Sequence, residues 1–235
     1  MKRCLAFLLF VIILCAPGSP QNATQAPNPA GATITFDCFW QPATPQHYII
    51  VVPDTGNARY VSQSPQQTPD ANGVPDEDYQ LEFANSPALR ARIFHLAEQA
   101  GYFNGDFDFK KHAIANTGNK TLTYKDATRN FTTVYNWSEN TAIDQLTRIF
   151  HGISTTIEHG RKLKFLRRFD KLGLEAELKG MERQVEIHEL ADLQIIATVL
   201  ENIANDTSVL NIARQRARRL LEQSKGEGWE TKAGQ

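Results

Sequence analysis

All eleven prolines of this 235-residue chain lie between Pro17 and Pro87, and none occurs from Ala88 to Gln235. Proline fixes φ and removes a backbone donor, so it interrupts helix interiors and central strands. The front of the chain must therefore be linker, turns and short strands. The back is free to form long unbroken helices. The remaining composition is that of an ordinary globular protein: 41% hydrophobic, 22% charged, with 25 basic against 26 acidic residues. This excludes a wholly disordered chain, a collagen and a polytopic membrane protein. It also leaves no positive surplus for a protein devoted to neutralising phosphates.

Met1-Lys2-Arg3 is a basic start, followed by an apolar run from Cys4 to Ala16 and then Pro17, Gly18 and Ser19. Those are the three parts of a secretory signal peptide, with residues 1–18 removed. The run is shorter than the roughly 17–25 residues a membrane-spanning helix needs, so the mature chain is expected to carry no transmembrane span. A lipid anchor at Cys15 is disfavoured, because Leu14 stands where a lipobox has a small residue. Loss of the leader takes Cys4 and Cys15 with it. Cys38 is left alone, without an internal disulfide, and is expected as a small buried hydrophobe.

Residues 19–31 (SPQNATQAPNPAG) read as a Pro-rich flexible spacer. Residues 32–138 read as mainly β with one helix. From Thr33 the chain is β-branched and aromatic; Tyr48–Val52 is a strand, Asp54–Asn57 a turn, Ala58–Val61 its partner, and Tyr79–Phe83 a further strand. Ser86-Pro87 supplies an N-cap and first helical residue, and Leu89, Ile93, Leu96, Ala97 and Ala100 form one helical face. Thr121–Tyr124 and Phe131–Tyr135 read as a hairpin. Residues 139–224 read as helical, with seams at Ile143, Leu146, Phe150, Ile153 and Ile157, at Leu174, Leu178, Met181 and Val185, at Leu193, Ile196, Leu200 and Ile203, and at Leu210, Ala213, Ala217 and Leu220. Gly160 and Gly173 are expected breaks. Residues 225–235 are a loose tail. The fold expected is α+β: an antiparallel sheet of five or six strands with one embedded helix, followed by a helical C-terminal half packed on or beside it.

No constellation in the sequence names a reaction, and no catalytic, cofactor-binding or metal-ligating residue is assigned. His151 and His159 are eight apart, about 80° from one another around a helix, and cannot share a metal without a third ligand. His188-Glu189-Leu190-Ala191-Asp192 imitates a zinc-protease helix but has Asp where the second His belongs, so it reads as a position on an amphipathic helix. The loop with Asp70, Asn72, Asp76, Glu77 and Asp78 is oxygen-rich, yet its glycine and proline fall at the wrong places for a calcium loop. Asp106 and Asp108 alternate with aromatics as in a strand or turn. Gly152-Ile153-Ser154 lacks a nucleophile elbow's second glycine, and Cys38 has no Cys/His/Asn arrangement around it.

Two basic runs, Arg161–Lys171 and Arg214–Arg219, could suggest nucleic acid or anionic lipid. Six acids between Glu175 and Asp192 can instead pair with them across antiparallel helices, and no nucleic-acid partner is expected. Asn-X-Ser/Thr sites begin at Asn22, Asn119, Asn130, Asn136 and Asn205 and would accept glycans only in a glycosylating secretory pathway.

Two stretches, residues 115–126 (ANTGNKTLTYKD) and 211–217 (NIARQRA), resemble those of small exported bacterial proteins without assigned activity. The resemblance implies export, periplasmic or secreted, and supplies no catalytic residue. The function expected is a non-enzymatic exported domain that binds a protein or envelope partner. The alternative is a secreted hydrolase, with His151, His159 and the acidic loop as its nominees.

Overall fold

The computed structural model describes residues 31–63 and 78–225. The leader, the spacer up to residue 30, the acidic loop through Glu77 and the tail from residue 226 lie outside the described residues. The architecture is α+β. Six strands, β1 (Thr33–Phe39), β2 (His47–Pro53), β3 (Ala58–Gln63), β4 (Tyr79–Phe83), β5 (Asn119–Lys125) and β6 (Asn130–Tyr135), form one antiparallel sheet in the order β4-β3-β2-β1-β5-β6. Between β4 and β5 runs α1 (Pro87–Gln99). After β6 come α2 (Thr141–Phe169), α3 (Gly173–Glu186), α4 (Ala197–Asn205) and α5 (Asn211–Lys225).

Strict alternation puts Ile34, Phe36 and Cys38 of β1 on the same face as Tyr48, Ile50 and Val52 of β2, and leaves Thr33, Thr35 and Asp37 on the other. The inner face is covered by α1 and the first half of α2. The Ser86 side chain accepts from Leu89 N at 3.3 Å and Pro87 opens α1, as the sequence predicts. Asn140 caps α2 by accepting from the amides of Ala142 and Ile143. The α2 seam from Ile143 to Ile157 is buried throughout, and Phe150 lies flat on Phe36, ring centroids 4.9 Å apart.

Beyond Ile157 the same helix leaves the sheet. Leu163 and Leu166 belong to a second core with Leu174, Leu178, Met181, Leu200, Ile203 and Leu220. One helix thus serves two cores, covering the sheet with its first half and founding a helical lobe with its second. Within that lobe α3 and α5 start at the end where α2 and α4 finish. Arg167 of α2 bonds Asp206 just after α4 at 3.1 Å, while Arg216 of α5 bonds Glu175 of α3 at 3.1 Å. The flank pairing expected from the charge pattern forms: Lys162 meets Glu177, and Arg216 and Arg219 both meet Glu182.

Three expectations need correction. Gly160 does not break a helix; α2 runs through it, and its absent side chain makes room for the second core. A Cβ there would sit 2.4 Å from Ile196 Cγ2. Leu210 does not join the Ala213 seam but stands 47% exposed in the turn before α5. Residues 188–192 are not helical, because α3 ends at Glu186 and His188 and Asp192 both take positive φ.

The Gly160 contact gives a direct test. Gly160→Ala is expected to lower stability by about 0–2 kcal/mol, since overpacking costs roughly 1–3 kcal/mol and alanine's helix propensity returns about 1. In an Ile196→Ala background the same change should cost nothing. Denaturant titration of the four proteins checks this, and strictly additive losses would remove Ile196 as the cause.

Candidate functional site

Most of the inner sheet face is apolar, but one rung is not. Register aligns Tyr135, Lys120, Cys38, Tyr48, Ser62 and Tyr79 in a single row across all six strands. The next row, Thr133, Leu122, Phe36, Ile50, Tyr60 and Leu81, is mostly core. Four members of that polar row, Tyr135, Lys120, Cys38 and Tyr48, form the floor of a cleft of about 790 Å³, roofed by the α2 segment from Asp144 to Lys162 and bordered by Glu177 and Gln184 of α3.

Each group on the floor is tied down. Lys120 is 3% exposed, and its ammonium donates to the carbonyls of Thr117 and Asn136, both at 2.8 Å, and more distantly to Gly118 O. All its partners are neutral oxygens, and burial lowers its pKa. The Tyr135 hydroxyl is 2.6 Å from Thr147 Oγ1, which itself donates to Ile143 O, so Tyr135 is the donor. Tyr48 sits between Cys38, its cross-strand neighbour in the row, and His151, whose Nδ1 lies 2.5 Å from the phenol oxygen. Burial raises both the Cys38 thiol and the Tyr48 phenol, and pushes His151 down to about 4, with the Lys120 charge adding to the effect. The phenol therefore keeps its proton and donates it to a neutral imidazole.

Further along α2, Glu158 Oε1 accepts from Tyr60 at 2.7 Å and from Ser62 at 3.1 Å. His159 places Nδ1 and Nε2 each 2.6 Å from an oxygen, of Glu177 and Gln184 respectively. Burial alone would raise the Glu177 carboxyl, but hydrogen bonds from His159 and Lys162 hold it below its ordinary value. Helical spacing thus brings His151 and His159 to one cleft, yet each is engaged by different partners and they do not converge. Among the described residues no group of His, Cys, Asp and Glu is arranged to hold a metal ion.

The rim is aromatic. Trp40 and Trp137 are 38% and 42% exposed at the cleft mouth. Trp137 meets the edge of Phe109 at 5.0 Å. Trp40 packs over Gly118, where φ is +98° and a Cβ would stand 2.8 Å from Trp40 Cβ, so only glycine fits this turn. The Asn136 amide donates to Ala115 O and accepts from Thr117 N, which fixes the loop beside it.

The other singled-out residues lie elsewhere. His188 is exposed in the turn after α3, and Asp192 accepts from Ser86 N at 2.8 Å, joining that turn to the start of α1. Asp106 caps a turn by accepting from Asp108 N. Of the acidic loop, only Asp78 falls within the described residues.

Cys38, Tyr48, Lys120 and Tyr135 were not legible as a site from the sequence. Their common signal is that the inward alternation of each strand turns polar at the same end, as in Ile34-Phe36-Cys38 and Tyr124-Leu122-Lys120, and only the register shows those ends to be neighbours. No family model matches the chain, and no curated protein matches it.

Proposed function

We propose that this is an exported, non-enzymatic protein that binds a segment of a protein or envelope partner in the cleft between the sheet and α2. The observation that carries the reading is the built floor of the cleft, where Tyr48, Lys120 and Tyr135 are buried and their polar atoms are already hydrogen-bonded. Burial favours the neutral thiol, phenol and imidazole, which suits recognition of polar groups and leaves Cys38 without an activated thiolate. Exposed tryptophans beside a cleft of this volume supply the rigid apolar anchors that binding surfaces use.

Replacing both Trp40 and Trp137 by alanine leaves the buried core intact and is expected to weaken capture of the partner from native envelope extract at least tenfold. Capture unchanged by the double substitution would remove the cleft from the interaction. The placement of Cys38 beside the Tyr48–His151 pair favours a second reading, a hydrolase that raises the thiol's reactivity when substrate is bound. Turnover of ester, peptide or glycoside substrates that Cys38→Ser abolishes would establish that reading in place of the first.

A further inference from the structure

The helical lobe ends in two turns that lie side by side, residues 170–172 between α2 and α3 and residues 206–210 between α4 and α5. Lys171 Nζ bonds Ser208 Oγ across them, and Asp206 receives Arg167 at 3.1 Å and Lys171 at 3.9 Å. This end carries four large apolar side chains in water: Phe169 at 63% exposure, Leu172 at 73%, Leu210 at 47% and Ile212 at 49%. Nothing in the second core needs them there, since the seams of α2, α3 and α5 are filled by Leu166, Leu174 and Ala213.

Cations surround these tips. Lys164, Arg167, Arg168, Lys171 and Arg214 lie on the same two helix ends, against Asp170 and Asp206. Arg168 lies over the Phe169 ring at 4.9 Å. Both acids are used locally, Asp170 as acceptor for Gly173 N and Asp206 for Ser208 N. Greasy tips ringed by bases match a surface that offers anions above hydrocarbon. Elsewhere in the lobe the bases are answered by glutamates of α3; here the exposed Lys164 and Arg168 have no carboxylate among their bonded partners.

We infer that this end of the helical lobe docks on an anionic lipid surface, with Phe169, Leu172, Leu210 and Ile212 entering the headgroup region and the surrounding bases meeting lipid phosphates. Docking is peripheral; no helix among the described residues is long and apolar enough to cross a membrane. The cleft, set back along α2, stays open to a partner on the same membrane.

The test is sedimentation of the full chain with vesicles of phosphatidylcholine alone and of phosphatidylcholine mixed with phosphatidylglycerol. Binding is expected to the mixed vesicles and to weaken with salt. Phe169→Ser with Leu172→Ser should reduce it at least tenfold, and Lys164→Glu with Arg168→Glu by about fivefold or more for each base reversed. These positions are exposed, so an unchanged circular dichroism spectrum keeps the comparison fair. Equal binding to both vesicle types, or binding that neither double variant alters, overturns the inference. So does failure to bind by a chain whose Phe169→Ser/Leu172→Ser variant abolishes a dimer, which would assign the patch to a second copy.

Discussion

Phe150→Ala is expected to cost about 3–5 kcal/mol, a large share of the roughly 5–15 kcal/mol that holds a domain of this kind together. Phe150 is fully buried in the middle of the α2 seam and stacks within 5° of parallel on Phe36 of the central strand, so its loss leaves a void that neither a rigid sheet nor a continuous helix can close. The ring pair itself contributes about 1 kcal/mol, measurable as the coupling in a Phe36→Leu/Phe150→Leu cycle. The more informative outcome is where the loss is felt. Because α2 passes unbroken from the sheet core to the second core, both are expected to unfold together. Tryptophan fluorescence reports on the cleft mouth through Trp40 and Trp137, and far-UV circular dichroism reports chiefly on the helices. Both midpoints should fall equally. A shifted fluorescence transition beside an unmoved dichroism midpoint would mean that the helical lobe stands without the sheet.

The first half of that shared helix was legible in the sequence, and its continuation past Gly160 into the second core was not. The recurrence of apolar residues from Ile143 to Ile157 defines a helix because period alone sets which side chains share a face. The strands were legible for the same reason, from alternation in Ile34-Phe36-Cys38 and Tyr48-Ile50-Val52. Gly160 misled because a glycine inside a helical pattern lowers local propensity, while the reason for it is an ångström-scale approach of Ile196 from thirty-six residues away, which no local signal carries. The stretch from His188 to Asp192 misled in the opposite sense. Its composition suits a helix, but positive φ at both ends bends it into a turn held by the Ser86–Asp192 bond.

The candidate site was the least legible part. Cys38, Lys120 and Tyr135 each look unremarkable in their own strand. They meet because β1 sits between β2 and β5, an arrangement that inserts the first strand between elements separated by 66 positions, from Pro53 to Asn119. The histidines on α2 were visible as candidates. What the sequence could not supply was the phenol under His151 or the carboxylate beside His159, and those partners decide what each imidazole can do.

For His151 the consequence is a pH dependence with a definite sign. Burial and the nearby Lys120 charge hold its folded pKa at about 4, against an ordinary value of 6.5. Below pH 6.5 the unfolded chain takes up a proton that the folded chain refuses, so stability falls on acidification and the loss is complete only below pH 4. At 1.36 kcal/mol per unit the cost reaches about 2 kcal/mol at pH 5 and about 3 at pH 4. Glu177 and Asp206, whose pKa values are depressed, lose their contribution at lower pH, as carboxylates begin to protonate in the unfolded chain near pH 4. Asp192, raised by burial, works the other way and gains on acidification. Both effects cancel in a comparison with His151→Gln, whose amide oxygen still accepts from Tyr48 but cannot titrate. Urea unfolding at steps from pH 7 to 5 should therefore show wild type losing about 2 kcal/mol relative to that variant. Parallel curves would mean that His151 is already solvated and freely protonated, and the neutral floor on which the binding reading depends would be lost with it.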